Sequence, residues 1–110
     1  MKVYSFDVEC FDSVKPKIVF ESEFTKEICI SMQKNSVMKE HKAPAAIIVQ
    51  VLKGQIDFEV EGKSYDMKEF DAITLEANKP HSLTAKENSI VRLSLSKKDS
   101  FSRVKTVEIG

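Results

Sequence analysis

Residues 26–32, 55–60, 72–75 and 90–95 alternate apolar and polar side chains with a period of two. Successive side chains of a strand point to opposite faces, so each run reads as a strand with one face in a core. Turn formers separate the runs: Lys34-Asn35-Ser36, Lys53-Gly54, Glu61-Gly62-Lys63, Ala77-Asn78-Lys79-Pro80 and Lys86-Glu87-Asn88-Ser89. No helical stripe of useful length interrupts them. Short strands with a turn every eight to twelve residues or so predict an all-β sandwich or barrel with little helix. Its interior is predicted to hold Ile28, Ile30, Ile56, Phe58, Val60, Ile73, Leu75, Val91, Leu93 and Leu95. Residues 46–52, apolar except at Gln50, read as a strand buried on both faces or lying at a subunit contact. Residues 10–17 read as loop, and residues 18–20 as an edge strand.

The 110 residues bound a single domain, 1–110, with a modest core. Seventeen basic residues balance seventeen acidic ones. No net field recruits nucleic acid or an anionic membrane. No apolar run approaches the roughly 20 residues of a membrane span, and residues 1–7 lack an apolar signal core. Cys10 and Cys29 suit neither a metal knuckle nor a redox pair, and are expected as reduced thiols in a cytoplasmic protein. Cys29 lies in an alternating run and is expected to be buried. No base near Cys10 marks it as a nucleophile.

Two histidines remain, His41 and His81, the only two in the chain. Residues 35–81 resemble the two signature motifs of the cupin superfamily. In the first motif, Asn35 stands at the opening glycine and His41 at the first histidine. Ala43 stands at the second histidine, Ile47 at the glutamate and Gly54 at the closing glycine. In the second motif, Phe70 stands at a glycine, Glu76 at a proline and Asn78 at a glycine. His81 stands at the histidine and Ala85 at the asparagine. The resemblance implies a cupin-type β-barrel, a double-stranded jelly roll. Asn35 and Asn78 tolerate the left-handed backbone that a glycine would adopt. Phe70 does not, so the turn at residues 69–71 is expected to be built differently.

The resemblance also implies a divalent metal held by the histidines and glutamate of the first motif and the histidine of the second. This chain keeps only His41 and His81. Zinc, nickel, iron or manganese would be held weakly there or not at all, because such centres need three or four protein ligands. If His41 faces inward, strand alternation places Ala43, Ile47, Val49 and Val51 on the same wall, with Glu40 turned away. His41, His81, Ala43, Ile47 and Val49 are the expected ligand-binding residues. No catalytic residue is assigned. Two functions follow: a non-catalytic small-molecule-binding barrel, or a metal-dependent enzyme of dioxygenase or isomerase type with a two-histidine site. Small cupins commonly pair, and a homodimer is expected through residues 18–20 and 46–52. Met32, Met38 and Met67 read as core fillers ahead of pocket liners. Lys97-Lys98 reads as a solvated strand end.

Overall fold

A computed structural model describes residues 1–97, 104–105 and 107–110. Among these, nine strands form two antiparallel sheets facing each other across the core. They are β1 (Val14–Glu21), β2 (Thr25–Met32), β3 (Val37–His41), β4 (Ile47–Lys53), β5 (Gln55–Val60), β6 (Lys63–Lys68), β7 (Ala72–Leu75), β8 (His81–Ala85) and β9 (Ser89–Ser96). One sheet has the order β1-β2-β9-β4-β7 and the other β3-β8-β5-β6. Only Val104 and Lys105 are helical among the described residues. The all-β expectation holds.

Alternation decides which side chains meet. Ile28, Ile30 and Met32 of β2, Val91, Leu93 and Leu95 of β9, and Val49 and Val51 of β4 are buried toward Ile56, Phe58 and Leu83 of the facing sheet. Val60 and Ile73 pack against this core without being fully buried. Met32, Met38 and Met67 are all buried.

Three readings need correction. Val14, Lys15, Pro16 and Lys17 lie in β1 and pair with β2; they are not loop. A proline fits there because β1 is an edge strand, where a missing N–H breaks no ladder. Residues 46–52 are not buried on both faces within the chain: Ile47, Val49 and Val51 are buried while Ile48 is 47% exposed. The third concerns Phe70, which adopts φ 75°, much as Asn35 (74°) and Asn78 (64°) do. Its turn therefore keeps the shape a glycine would give. The Asp71 N–H donates to the Lys68 carbonyl at 3.0 Å, and the Lys68 N–H donates to Asp71 Oδ2 at 2.9 Å. The Phe70 N–H also donates to the Val51 carbonyl at 2.7 Å. These bonds hold a conformation that costs a non-glycine residue about 1–2 kcal/mol.

Both termini lie on the sheets. Tyr4 stacks on Phe20 with ring centroids 4.9 Å apart, and the Arg92 guanidinium lies 4.9 Å from the Phe6 centroid. Beside this cluster Glu27 is buried on the outer side of β2. It accepts from Arg92 Nε at 2.9 Å, Ser94 Oγ at 2.6 Å and Thr25 Oγ1 at 2.6 Å. Burial alone would raise its pKa. The hydrogen bonds from Ser94, Thr25 and Arg92, with the guanidinium charge, outweigh that and hold it below the usual glutamate range. Cys10 is exposed and Cys29 buried, and burial pushes the Cys29 thiol up against a smaller opposing pull from Lys17. At the other end, Ile109 bridges Met38 on the free edge of β3. Lys97 is exposed and lies 3.6 Å from Glu21; Lys98 lies outside the described residues. No helix among the described residues is long and apolar enough to cross a membrane.

Candidate functional site

His41 ends β3 and His81 begins β8, and the two are direct cross-strand partners. Partners on adjacent strands share one face of the sheet. Strict alternation from the buried Met38 would turn His41 outward. A bulge between Met38 and His41 shifts the register by one residue, so that Met38 and His41 both reach the interior while Lys39 and Glu40 are exposed. An extra residue in one strand re-aims the side chain that follows it.

The two imidazole rings lie 4.2 Å apart between centroids, inclined at 60°. His81 is buried and stacks on Phe58 at 5.5 Å and 12°. Nδ1 of His41 lies 2.8 Å from the Lys39 carbonyl oxygen, and Nδ1 of His81 lies 2.9 Å from that of Lys79. A carbonyl only accepts, so each Nδ1 carries a proton. When neutral, each ring then has its lone pair on Nε2. The local sequence helps: Asn78, in the left-handed conformation, and Pro80 shape the turn that presents Lys79 and His81.

Both rings line one chamber between the sheets. Ile47 and Val49 from β4, Val91 and Leu93 from β9, Met38 from β3 and Val104 complete most of its apolar wall. Its volume is about 20 Å³, room for one water molecule. Of the expected binding residues, His41, His81, Ile47 and Val49 come together here. Ala43 is buried nearby in the core but does not line the chamber. Sequence reasoning missed Leu83 and Val104 as lining residues. Leu83 lies in an alternating five-residue run that could have revealed it; Val104 carries no periodic signal.

The described residues do not fit a four-ligand metal centre. Among them, no three His, Cys, Asp or Glu side chains gather in one place, and the two further family ligand positions hold Ala43 and Ile47. The anchoring of each Nδ1 on a carbonyl does resemble the support that ligating histidines receive.

A family model described as the cupin domain matches residues 29–96, which span both histidines and the chamber strands. The chain belongs to the cupin family. Solved structures agree with this cupin fold. KdgF from Halomonas sp. is 24% identical, with 86% of each chain covered and a TM-score of 0.72. An RmlC-like cupin protein from Desulfovibrio desulfuricans is 17% identical, with 87% of this chain and 96% of that one covered and a TM-score of 0.75. The Cupin 2 conserved barrel domain protein from Leptotrichia buccalis is 29% identical, with 82% of this chain covered but only 44% of that one, at a TM-score of 0.73. No curated protein sequence matches this cupin.

Proposed function

We propose that this cupin is a non-catalytic small-molecule-binding barrel whose site is the chamber shared by His41 and His81. One observation carries the reading: two cross-strand imidazoles, each fixed on a backbone carbonyl, face one apolar chamber whose wall has Ile47 at one of the family's other ligand positions. A polar ligand group meets the edges of the two rings where they face the chamber, and its apolar part rests on Ile47 and Val49. A panel of small alcohols and carboxylic acids tests this by thermal shift. At least one probe should raise the midpoint of the wild-type protein and not of His81→Ala. If every active probe stabilises both proteins equally, the site lies elsewhere.

The second reading is a metal-dependent enzyme of dioxygenase or isomerase type with a two-histidine site, favoured by the carbonyl-anchored rings. Stoichiometric zinc, nickel, iron or manganese in dialysed protein, measured by emission spectroscopy, would select it over the first.

The reading extends to assembly. Residues 1–110 act as one barrel, in the cytoplasm, where Cys10 and Cys29 stay reduced. Two copies pair through the outer face of the five-stranded sheet. Phe24 and Ile48 are exposed there and border one shallow apolar hollow. Light scattering should give a dimer mass for the wild type and a monomer mass for Ile48→Asp. A wild-type monomer at micromolar concentration would refute the pairing.

A further inference from the structure

The two sheets do not close evenly around the core. β6 ends one sheet, β7 ends the other, and the turn at residues 69–71 joins them. Alternation puts Tyr65 of β6 on the inner face: it pairs with the buried Phe58 and stands two residues from the buried Met67. Tyr65 is nevertheless 43% exposed. An inner-face ring in contact with water marks an open seam between the sheets.

A cleft of about 280 Å³ occupies this seam, close to the lower end of the ~300–1,000 Å³ of small-molecule pockets. Its floor is apolar, formed by Val60, Ile73 and Leu75. Each of these is the cross-strand partner of a chamber residue: Val60 of His81, Ile73 of Val49 and Leu75 of Ile47. Cleft and chamber are therefore neighbours along both sheets, yet they share no lining side chain.

Tyr65 forms one wall of the cleft, and its rim is charged. Glu61 and Glu76 bring two carboxylates and Lys79 one ammonium. Lys79 Nζ lies 3.1 Å from Glu61 Oε1, so these two charges offset each other. Glu76 leaves the rim negative. An apolar floor takes hydrocarbon. The face of a tyrosine ring attracts an organic cation, and an excess carboxylate favours a positive headgroup over a negative one. An anion of the same shape would meet Glu76. A neutral molecule would gain nothing from the ring face or the carboxylate.

We propose that this cleft is a second ligand site, built for a small organic ammonium ion. The hydrocarbon part rests on Val60, Ile73 and Leu75, and the ammonium is directed to the Tyr65 ring and the Glu76 carboxylate. The proposal stands apart from the histidine chamber and needs nothing of it.

Phenethylamine, titrated in dilute phosphate buffer, is the test probe, followed through the Tyr65 ring and Ile73 methyl resonances. The chain has two tyrosines, and Tyr4, stacked on Phe20 away from the cleft, is the internal control. A saturable shift is expected at Tyr65 and Ile73, with a Kd of the order of 1 mM, and none at Tyr4. 2-Phenylethanol carries the same hydrocarbon with a hydroxyl in place of the ammonium, and should bind at least about fivefold more weakly; 3-phenylpropionate should bind more weakly still. Glu76→Gln should weaken phenethylamine at least about threefold and leave 2-phenylethanol unchanged. Tyr65→Leu, read at Ile73, should weaken phenethylamine at least about fivefold. Glu76 and Tyr65 are both exposed, so neither change removes core. No saturable shift at Tyr65 up to about 50 mM, equal affinities for the amine and the alcohol, or a Glu76→Gln protein that binds the amine as the wild type does would overturn the site. The chamber is probed at its histidines and the cleft at Tyr65, so either reading can fail while the other stands.

Discussion

Phe58→Ala is the substitution that most directly tests the packing beneath the site. Phe58 is the largest of the fully buried side chains. It sits opposite Leu83 on β8 and carries the His81 ring on its face. A phenylalanine buries about 200 Å². If alanine keeps roughly a quarter of that, about 150 Å² of apolar burial is lost, which at 25 cal/mol per Å² is ~4 kcal/mol. A compact unfolded state trims this to about 3–4 kcal/mol, within the range observed for burying-to-alanine changes at phenylalanine. For a domain of this size the melting midpoint should fall by roughly 12–16 °C. Urea unfolding followed by circular dichroism measures the loss, with Glu59→Ala as control. Glu59 is the next residue on β5 and is exposed, so its removal should change stability by less than about 0.5 kcal/mol. A loss below about 1 kcal/mol at Phe58, or equal losses at both positions, would refute the period-two assignment of β5.

Other perturbations probe separate parts of the account. A Cβ at Gly54 would lie 2.4 Å from the Asn88 carbonyl oxygen and 2.4 Å from Ser89 Oγ, at φ 84°, so Gly54→Ala should cost at least about 2 kcal/mol in urea unfolding. Ala43→His/Ile47→Glu restores the family's missing ligand types. It should lower metal-free stability, because Ile47 is buried, and zinc or nickel should raise the melting midpoint of the double variant but not of the parent. Glu27 has a depressed pKa in the fold. Its ion pair with Arg92 therefore stabilises at neutral pH and fades as pH falls below about 4. Glu27→Gln should lose about 1–2 kcal/mol at pH 7, a figure discounted for the partly exposed Arg92, and the gap to wild type should close in acid. A gap that widens toward low pH would reverse the sign and sink the argument.

Much of the fold was legible because the sheets each bury one face. Ile28, Ile30, Phe58, Leu93 and Leu95 announced themselves by period alone. β1 was less legible, since Lys15, Pro16 and Lys17 read as loop when their edge position was unknown. The Phe70 turn was misjudged because residue type argues against a left-handed backbone, while the three hydrogen bonds around it hold one. The histidines were paired by motif spacing, not by alternation. The bulge that turns His41 inward leaves no mark in composition. Val104 and the Glu27 network were out of reach for another reason: both depend on residues far apart in the chain, Val104 closing a chamber built from the strands and Glu27 bonding Arg92 and Ser94 on β9.

The central claim is that His41 and His81 act as one ligand site. With only two histidines in the chain, their ring-proton resonances can be followed without crowding while the alcohol and carboxylic acid panel is titrated. The account predicts that a binding probe shifts the resonances of both rings together, saturating at one common concentration, and that ring-to-ring nuclear Overhauser effects report the 4.2 Å contact. A probe that binds while moving neither ring, or two rings that respond with different affinities and show no mutual contact, would contradict it.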